Sequence, residues 1–155
     1  MTEAAQMAEQ MRRVMAGGAW HGPSVLEALD GLPAAAAALH PVPGAHSVWE
    51  LVLHIDFTQR ILVRRLQGEN PSATDADFFP PVRDTSETAW KAAVERLRTQ
   101  EEALVAHVAT LSDERLAAPI TQGGTTTVYE TFHGHAQHNA FHAGQIRLLR
   151  KLLNA

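Results

Sequence analysis

Four of the nine histidines fall within one short stretch, "HGHAQHNAFHAGQI", at positions 133, 135, 138 and 142. Neutral imidazole is the commonest side-chain ligand of many divalent metal ions. Such a density of imidazoles therefore predicts either half of a metal site or a helix surface that is only rich in histidine. The two alternatives differ in the direction of the rings, so helical phase can separate them.

Helical phase sets one of these histidines apart from the other three. At about 100° per residue, His135 and His142 lie on one face of a helix together with the apolar residues around them. His138 lies about 60° to one side of that face, whereas His133 falls almost opposite, on the predicted solvent face. A buried polar group without a partner costs about 1–3 kcal/mol, so three inward imidazoles require something that binds them together. The apolar residues of this face are Val128, Phe132, Ile146, Leu149 and Leu153.

The spacing of the three inward histidines selects a pair of ligands. His138 and His142 are one helical turn apart, so that both rings can reach one ion, as in the His-x-x-x-His helix of zinc proteases. His135 and His142 are seven residues apart, about 10.5 Å along the axis, which is too far for convergence. We therefore expect His138 and His142 to bind a metal, and His135 to line the pocket or support a ligand from behind.

A third ligand has to come from a facing helix, and the stretch "HSVWELVLHIDFTQRIL" offers His54. This histidine is in helical phase with Leu51 and Thr58, on the stripe that is predicted to face inward. Glu50, one turn earlier, lies within about 40° of the same direction. Glu50 could be an outer carboxylate of the site, but it also stands three residues after Ser47, and the pair favours a capping box.

The elements that must position these residues are helical. Alanine and leucine are abundant, and the alternation typical of strands is nearly absent. A short helical segment is expected after the first helix, with Gly22-Pro23 at its start. Four long helices predict a four-helix bundle, in a single domain spanning 1–155. They are expected at about Thr2 to Met15, from Ser47 to the residue before Gly68, from Thr85 or Ser86 to about Leu111, and from Val128 to Leu153.

Composition excludes several classes of function. The net charge of −4 gives no basic surface for nucleic acid, and no stretch approaches the roughly 18 apolar residues of a membrane span. The N-terminal residues lack the apolar core of a signal peptide. The chain has no cysteine, which excludes disulfides, thiolate ligands and a cysteine nucleophile. We expect a soluble cytoplasmic protein.

Other segments are interpreted more simply. His21, in "AWHGP", lies at a turn that could fold over the open end of the bundle, and is a further candidate for the site. "FFPP" at 78–81 is interpreted as a loop anchor. Three more histidines are interpreted as surface or loop residues: His40, His46 and His107.

Taken together, "HSVWELVLHI" and the later "HAQHNAFHAGQI" resemble the DinB-like superfamily, which includes the YfiT-like proteins. The pattern is a histidine in the second helix and a late His-x-x-x-His followed closely by Gly-Gln. The segment "AWHGPSVLEAL" is typical of one branch, so the resemblance spans nearly the whole chain. One departure is Ala143, since many members carry arginine immediately after the last ligand.

The resemblance implies a bundle of up-down-down-up type and frequent homodimers. It also implies a divalent metal, often nickel or zinc, on His54, His138 and His142. Three histidine ligands would also accept iron. Some members are transferases or isomerases that use a low-molecular-weight thiol such as bacillithiol, mycothiol or glutathione, and others are treated as hydrolases.

Three protein ligands leave a coordination position open, which is typical of catalytic metal sites. We therefore expect a metal-dependent enzyme that acts on a small molecule, as a thiol S-transferase or as a hydrolase. Any thiolate must come with a cosubstrate, because the chain has no cysteine. Candidates for proton transfer are Glu50, His135 and His21. The alternative is a non-enzymatic helical bundle, with a stabilising metal and a surface for a protein partner.

Overall fold

The computed structural model describes all residues from Met1 to Ala155, and its regular structure consists of eight α-helices. An isolated antiparallel bridge joins Pro119 to Thr127, just before the last helix. None of the helices combines the length and apolarity needed to cross a membrane. The helices are α1 (Glu3–Ala16), α2 (Val25–Leu29), α3 (Ala34–Ala37), α4 (Val48–Leu66), α5 (Asp75–Phe78), α6 (Glu87–Val108), α7 (Asp113–Ala117) and α8 (Val128–Leu153).

The four long helices, α1, α4, α6 and α8, correspond to the four predicted ones, and the all-α class is confirmed. The helix α1 ends one residue later than predicted, before Gly17, whose φ of 128° suits glycine. The helix α6 ends at Val108 instead of Leu111, in a turn where the hydroxyl of Thr110 donates to the carbonyl oxygen of His107.

The single short segment expected after the first helix is instead two helices, α2 and α3. Two further short helices, α5 and α7, were not predicted. Each of these four helices has only four or five residues, which is too few for an apolar period to show in the sequence. Some of these short helices have a side-chain cap at their first turn. At the start of α7, for example, the Ser112 hydroxyl accepts a hydrogen bond from the backbone amide of Arg115.

Capping boxes fix where α4 and α8, the two helices that carry the predicted metal ligands, begin. At the start of α4, the Ser47 hydroxyl accepts from the Glu50 amide at 3.2 Å, and the Glu50 carboxylate accepts from the Ser47 amide at 2.8 Å. Thr127 and Glu130 form the same box at the start of α8. Each box satisfies backbone donors that the first turn leaves free, so it sets the register of the helix that follows.

The helices α1 and α4 each pack against both α6 and α8. Between α4 and α6, Asp56 contacts Arg96 and Gln100, and Gln59 donates to Glu101. The paired positions increase together along the two helices, as they do in parallel helices. The complete up-down-down-up topology stays a prediction.

A layer of polar side chains divides the apolar core into two clusters. One cluster surrounds the paired rings of Trp49 and Trp90, and the other surrounds Phe132 together with Met7 and Met11 of α1. Along α4, α6 and α8, the buried polar residues come between the members of these clusters. This polar layer consists of His54, Asp56, Gln59, Glu101, His135, Asn139 and His142.

The fold predicts that replacing two phenylalanines of α8 by alanine has very different effects on the free energy of unfolding. Phe132 is fully buried in the second cluster, whereas Phe141 is 63% exposed. Phe132→Ala should lower the free energy of unfolding by about 3–5 kcal/mol, because it leaves a cavity. In the monomer, Phe141→Ala should change it by less than about 0.5 kcal/mol. Urea unfolding of the two variants measures both values, and equal effects would contradict the packing described.

Candidate metal centre

Three imidazoles meet where α4 faces α8. The Nε2 atom of His138 lies 2.8 Å from Nε2 of His54 and 3.0 Å from Nε2 of His142. One nitrogen from each ring lies within 4.8 Å of the other two. The structure thus brings together the three side chains that spacing and phase select in the sequence. No other group of three or more histidine, aspartate or glutamate side chains comes this close.

The second nitrogen of each ring faces an oxygen. Nδ1 of His54 donates to the carbonyl oxygen of Phe78 at 2.9 Å, and Nδ1 of His142 donates to Oε1 of Gln145 at 2.6 Å. Nδ1 of His138 lies 3.4 Å from Oδ1 of Asn139. Because these oxygens only accept, the hydrogen of each neutral ring belongs on Nδ1, and the lone pair of Nε2 faces the common point.

This donor set fits a divalent cation. Three lone pairs that converge without a hydrogen between them repel one another, and a cation removes the repulsion. Bond lengths of about 2.0–2.1 Å with tetrahedral angles place ligand nitrogens roughly 3.3 Å apart. The distances of 2.8 and 3.0 Å require only a small expansion to reach that value. The cluster could therefore hold a metal ion with little rearrangement.

Burial keeps all three rings uncharged at neutral pH. It lowers the pKa of His138 and of His142 to about 4, from an ordinary value of 6.5. Neighbouring imidazoles lower these values further, while the hydrogen bond to Gln145 opposes the shift at His142. Burial also lowers the pKa of His54, against the hydrogen bond to Phe78. Since a metal binds only neutral imidazole, the rings are ready to bind at pH 7.

The segment after α5 covers one face of His54. The ring of Phe79 stacks on His54 with centroids 4.3 Å apart, and on its other side it stacks on His46 at 3.8 Å. The backbone of Phe78 supplies the acceptor for His54. The "FFPP" segment thus anchors its loop against the site, as its interpretation as a loop anchor requires.

The three candidates for proton transfer lie outside the cluster. Glu50 closes the capping box, and its Oε2 also lies 2.9 Å from Nε2 of His40. His135 is buried and contacts Glu101 and Asn139. His21 is exposed in the loop before α2 and makes no side-chain hydrogen bond. None of the three forms a hydrogen bond with a ring of the cluster.

One residue near the cluster differs from its prediction, and another departs from the pattern of DinB-like proteins. Helical phase predicts His133 on the solvent face, but it is only partly exposed, because Tyr129, one turn earlier, packs against it with ring centroids 4.4 Å apart. Ala143, where many DinB-like proteins carry arginine, is buried in the first apolar cluster. An arginine side chain in this orientation would enter that cluster.

Several residues in and around the cluster are not identified by the sequence. Gln145 had a usable signal, since it stands three residues after His142 on the same helix face. Phe78 has no such signal, because it reaches His54 through its backbone carbonyl, at the end of the short helix α5. Glu101 is one of several glutamates on α6, and only the packing of three helices shows that it is buried.

Comparison with known proteins agrees with this description. The family model for the DinB superfamily matches residues 19–146, so the chain belongs to the DinB superfamily, and the resemblance noted in the sequence is confirmed. No curated protein and no solved structure matches the chain.

The lowered pKa values predict that the metal-free protein loses stability in mild acid. Between pH 6.5 and about 4 the unfolded chain binds protons at His138 and His142 that the folded chain excludes. The free energy of unfolding therefore falls as the pH falls through this window, by about 2 kcal/mol or more. Urea unfolding at a series of pH values, with chelator present, measures this decrease in the free energy of unfolding.

The carboxylates of the chain also titrate in acid, so the comparison needs variants. His138→Ala should flatten the pH dependence, while His133→Ala, outside the cluster, should keep it. Equal slopes for the wild type and His138→Ala would show that the imidazole cluster does not cause the loss.

Proposed function

We propose that this protein is a metal-dependent enzyme that activates a low-molecular-weight thiol or water at His54, His138 and His142. Its reaction would be S-transfer from the thiol or, as the nearest competitor, hydrolysis. The observation that carries the proposal is the convergence of three Nε2 lone pairs, each fixed by an oxygen at the opposite nitrogen of its ring.

The protein supplies three neutral ligands and no carboxylate. Zinc or nickel is the preferred ion, with iron also accepted by such ligands. When bound, the ion would supply Lewis-acid chemistry and lower the pKa of a thiol or water that reaches it. Three protein ligands leave room for such a molecule, whereas structural zinc sites have four.

The surroundings favour a thiol over water. A thiol has an ordinary pKa of about 8.5 against 15.7 for water, so it ionises more easily without a base beside it. No carboxylate lies within the histidine cluster to act as that base. The thiol must arrive with a cosubstrate, since the chain has no cysteine. We propose the cytoplasm as its compartment, because thiols remain reduced there.

Chain residues around the cluster would hold the ligands and exclude water. Phe79 covers the face of His54, and the carbonyl of Phe78 fixes the ring. Of the candidates for proton transfer, Glu50 lies 3.4 Å from His46, whose ring stacks on Phe79. Proton transfer by Glu50, or by His135 or His21, stays a prediction.

Metal binding is tested first. We expect one ion per chain, with affinity reduced more than about 100-fold in His54→Ala, His138→Ala or His142→Ala, since loss of an outer partner alone costs up to that factor. At 1,000 times the dissociation constant, the ion should stabilise the fold by about 4 kcal/mol. Elemental analysis, calorimetric titration and thermal melts with chelator measure these values. His133→Ala is the matched control, and equal loss in it would contradict the assignment.

Activity is tested with a panel of electrophiles and esters, with and without low-molecular-weight thiols. We expect conjugation that requires both metal and thiol, is lost in His138→Ala and is retained in His133→Ala. Ester hydrolysis without thiol would favour the hydrolase. A protein that binds metal and gains stability from it, but gives no turnover on the whole panel, would contradict the enzymatic proposal.

That last result would favour the second candidate function, a non-enzymatic bundle in which the metal is stabilising. One observation supports it. Phe141, Leu148 and Leu152 lie on one face of α8 and are each at least half exposed. Such an apolar stripe is typical of a surface that meets a protein partner, and a homodimer is our proposal for it.

A further inference from the structure

A cleft lies beside the histidine cluster, between the second half of α8 and the region where α4 begins. We call it the α4–α8 cleft, and its volume is about 280 Å³. Its only polar side chains are His46 and Gln145, and no lysine, arginine, aspartate or glutamate lines it. The remaining side chains of the lining are apolar, and they are Val42, Ala45, Leu51, Leu148 and Leu149.

Both polar residues of the cleft are linked to a predicted metal ligand. Oε1 of Gln145 accepts from Nδ1 of His142 at 2.6 Å. The ring of His46 stacks on Phe79, which in turn stacks on His54. A molecule in the cleft would therefore lie close to the cluster, in contact with the side chain that fixes His142.

Phe141 extends the apolar surface of the cleft toward the cluster. It stands one turn before Gln145 on α8, and its ring lies edge to face with that of His142, with centroids 5.3 Å apart. The side chain is 63% exposed, so most of the ring is free for contact. An apolar surface thus runs from His142 along α8 into the cleft.

The lining of the cleft indicates the chemical class of its ligand. An ionised group would lose part of its hydration there and find no lysine, arginine, aspartate or glutamate as a partner. The part of the ligand that enters is therefore uncharged and mainly apolar. An apolar cavity of about 150 Å³ can hold benzene, so this cleft has room for a ring with a short substituent.

Gln145 offers such a ligand one hydrogen bond. Because its Oε1 accepts from His142, the NH₂ group is the free end of the amide, and it donates to no other residue of the chain. Pockets that are mostly apolar use a few polar groups of this kind to orient their ligands. A carbonyl or ester oxygen would accept this hydrogen bond.

We infer that the α4–α8 cleft binds the apolar part of the substrate of the metal centre, an uncharged molecule with a carbonyl or ester oxygen. The inference rests on the proposed function. Both proposed reactions share this class, since it includes carbonyl-bearing electrophiles for S-transfer and esters for hydrolysis. Gln145 orients the oxygen, and the apolar side chains select the size of the group.

Binding is measured on the full chain without metal, by ¹⁹F NMR titration in the presence of chelator. The probes are 4-fluoroacetophenone, which has a ring and a carbonyl group, and 4-fluorobenzoate, which has the same ring and a negative charge. We expect 4-fluoroacetophenone to bind and 4-fluorobenzoate to bind more than about 10-fold more weakly, because the cleft offers no charged partner.

Two pairs of variants locate the probe. Ala45→Phe fills the cleft and should abolish binding, whereas Ala35→Phe, at an exposed position of α3, should not change it. Leu148→Ala should weaken binding about 4-fold or more, the value of one buried methylene group. Leu152→Ala is its control, on the same exposed face of α8 but outside the cleft. The leucine pair decides the inference if Ala45→Phe does not fold.

A third pair of variants tests the hydrogen bond. Gln145→Glu keeps an acceptor for His142 but removes the NH₂ donor, so it should weaken binding of 4-fluoroacetophenone about 2–10-fold. Gln137→Glu places the same charge at an exposed position of the same helix and should leave the binding unchanged.

The distance of the probe from the metal centre is tested with loaded protein. Bound 4-fluoroacetophenone should show faster ¹⁹F relaxation in the Co²⁺-loaded chain than in the Zn²⁺-loaded chain, because the unpaired electrons of Co²⁺ act on nuclei close to the ion. Equal relaxation in the two loaded proteins would contradict a cleft that serves the metal centre.

The inference would be overturned if the wild type did not bind 4-fluoroacetophenone, or if Ala45→Phe and Leu148→Ala bound it equally well. Leu148 also belongs to the exposed stripe of α8, so sedimentation of each variant is measured. A stable dimer that binds the probe only after Leu152→Ala dissociates it would show that a second copy occupies the cleft, which also overturns the inference. A chain that binds no Co²⁺, Ni²⁺ or Zn²⁺ would instead overturn the proposed function, and the metal-free titrations separate that result from failure of the cleft.

Discussion

The hydrogen bonds at the Nδ1 atoms of three clustered imidazoles are the constraint on which the candidate site depends. Each bond places the hydrogen of a neutral ring at the back and turns its lone pair toward the common point. The acceptors come from three kinds of structure: a backbone carbonyl at Phe78, the last residue of α5, an amide one turn along α8 at Gln145, and an adjacent buried amide at Asn139. Burial then removes the competing proton by lowering the pKa of His138 and His142.

The bundle carries this polar layer between two apolar clusters. Each cluster is packed from several helices, so α4 and α8 are held on both sides of the point where their histidines meet. The capping boxes also help to position the histidines, because the starts of α4 and α8 set the register at which His54 faces His138. A site on rigid helices holds its geometry more closely than one on loops. The cost is a core that contains polar atoms without partners.

The long helices and the three clustered histidines could be predicted from the sequence because both follow from the helical periodicity of its residues. Ligands one turn apart on α8, and an inward histidine on α4, need only a helix of about 100° per residue. The short helices α2, α3, α5 and α7 could not be found this way, since one turn contains no period. Phe78 and Glu101 were missed for a different reason. One contributes a backbone carbonyl, which has no sequence signal, and the other resembles the exposed glutamates of α6 until three helices are packed together.

The stack of His46, Phe79 and His54 joins a ring of the cluster to a segment outside the long helices. Loops open at lower free energy than the helices they cover, because fewer buried contacts hold them. Withdrawal of Phe78 and Phe79 would remove both the acceptor and the cover of His54, while the pair on α8 stayed in place. The lifetime of an ion at this site would then be governed by the opening rate of this loop and not by the unfolding of the bundle.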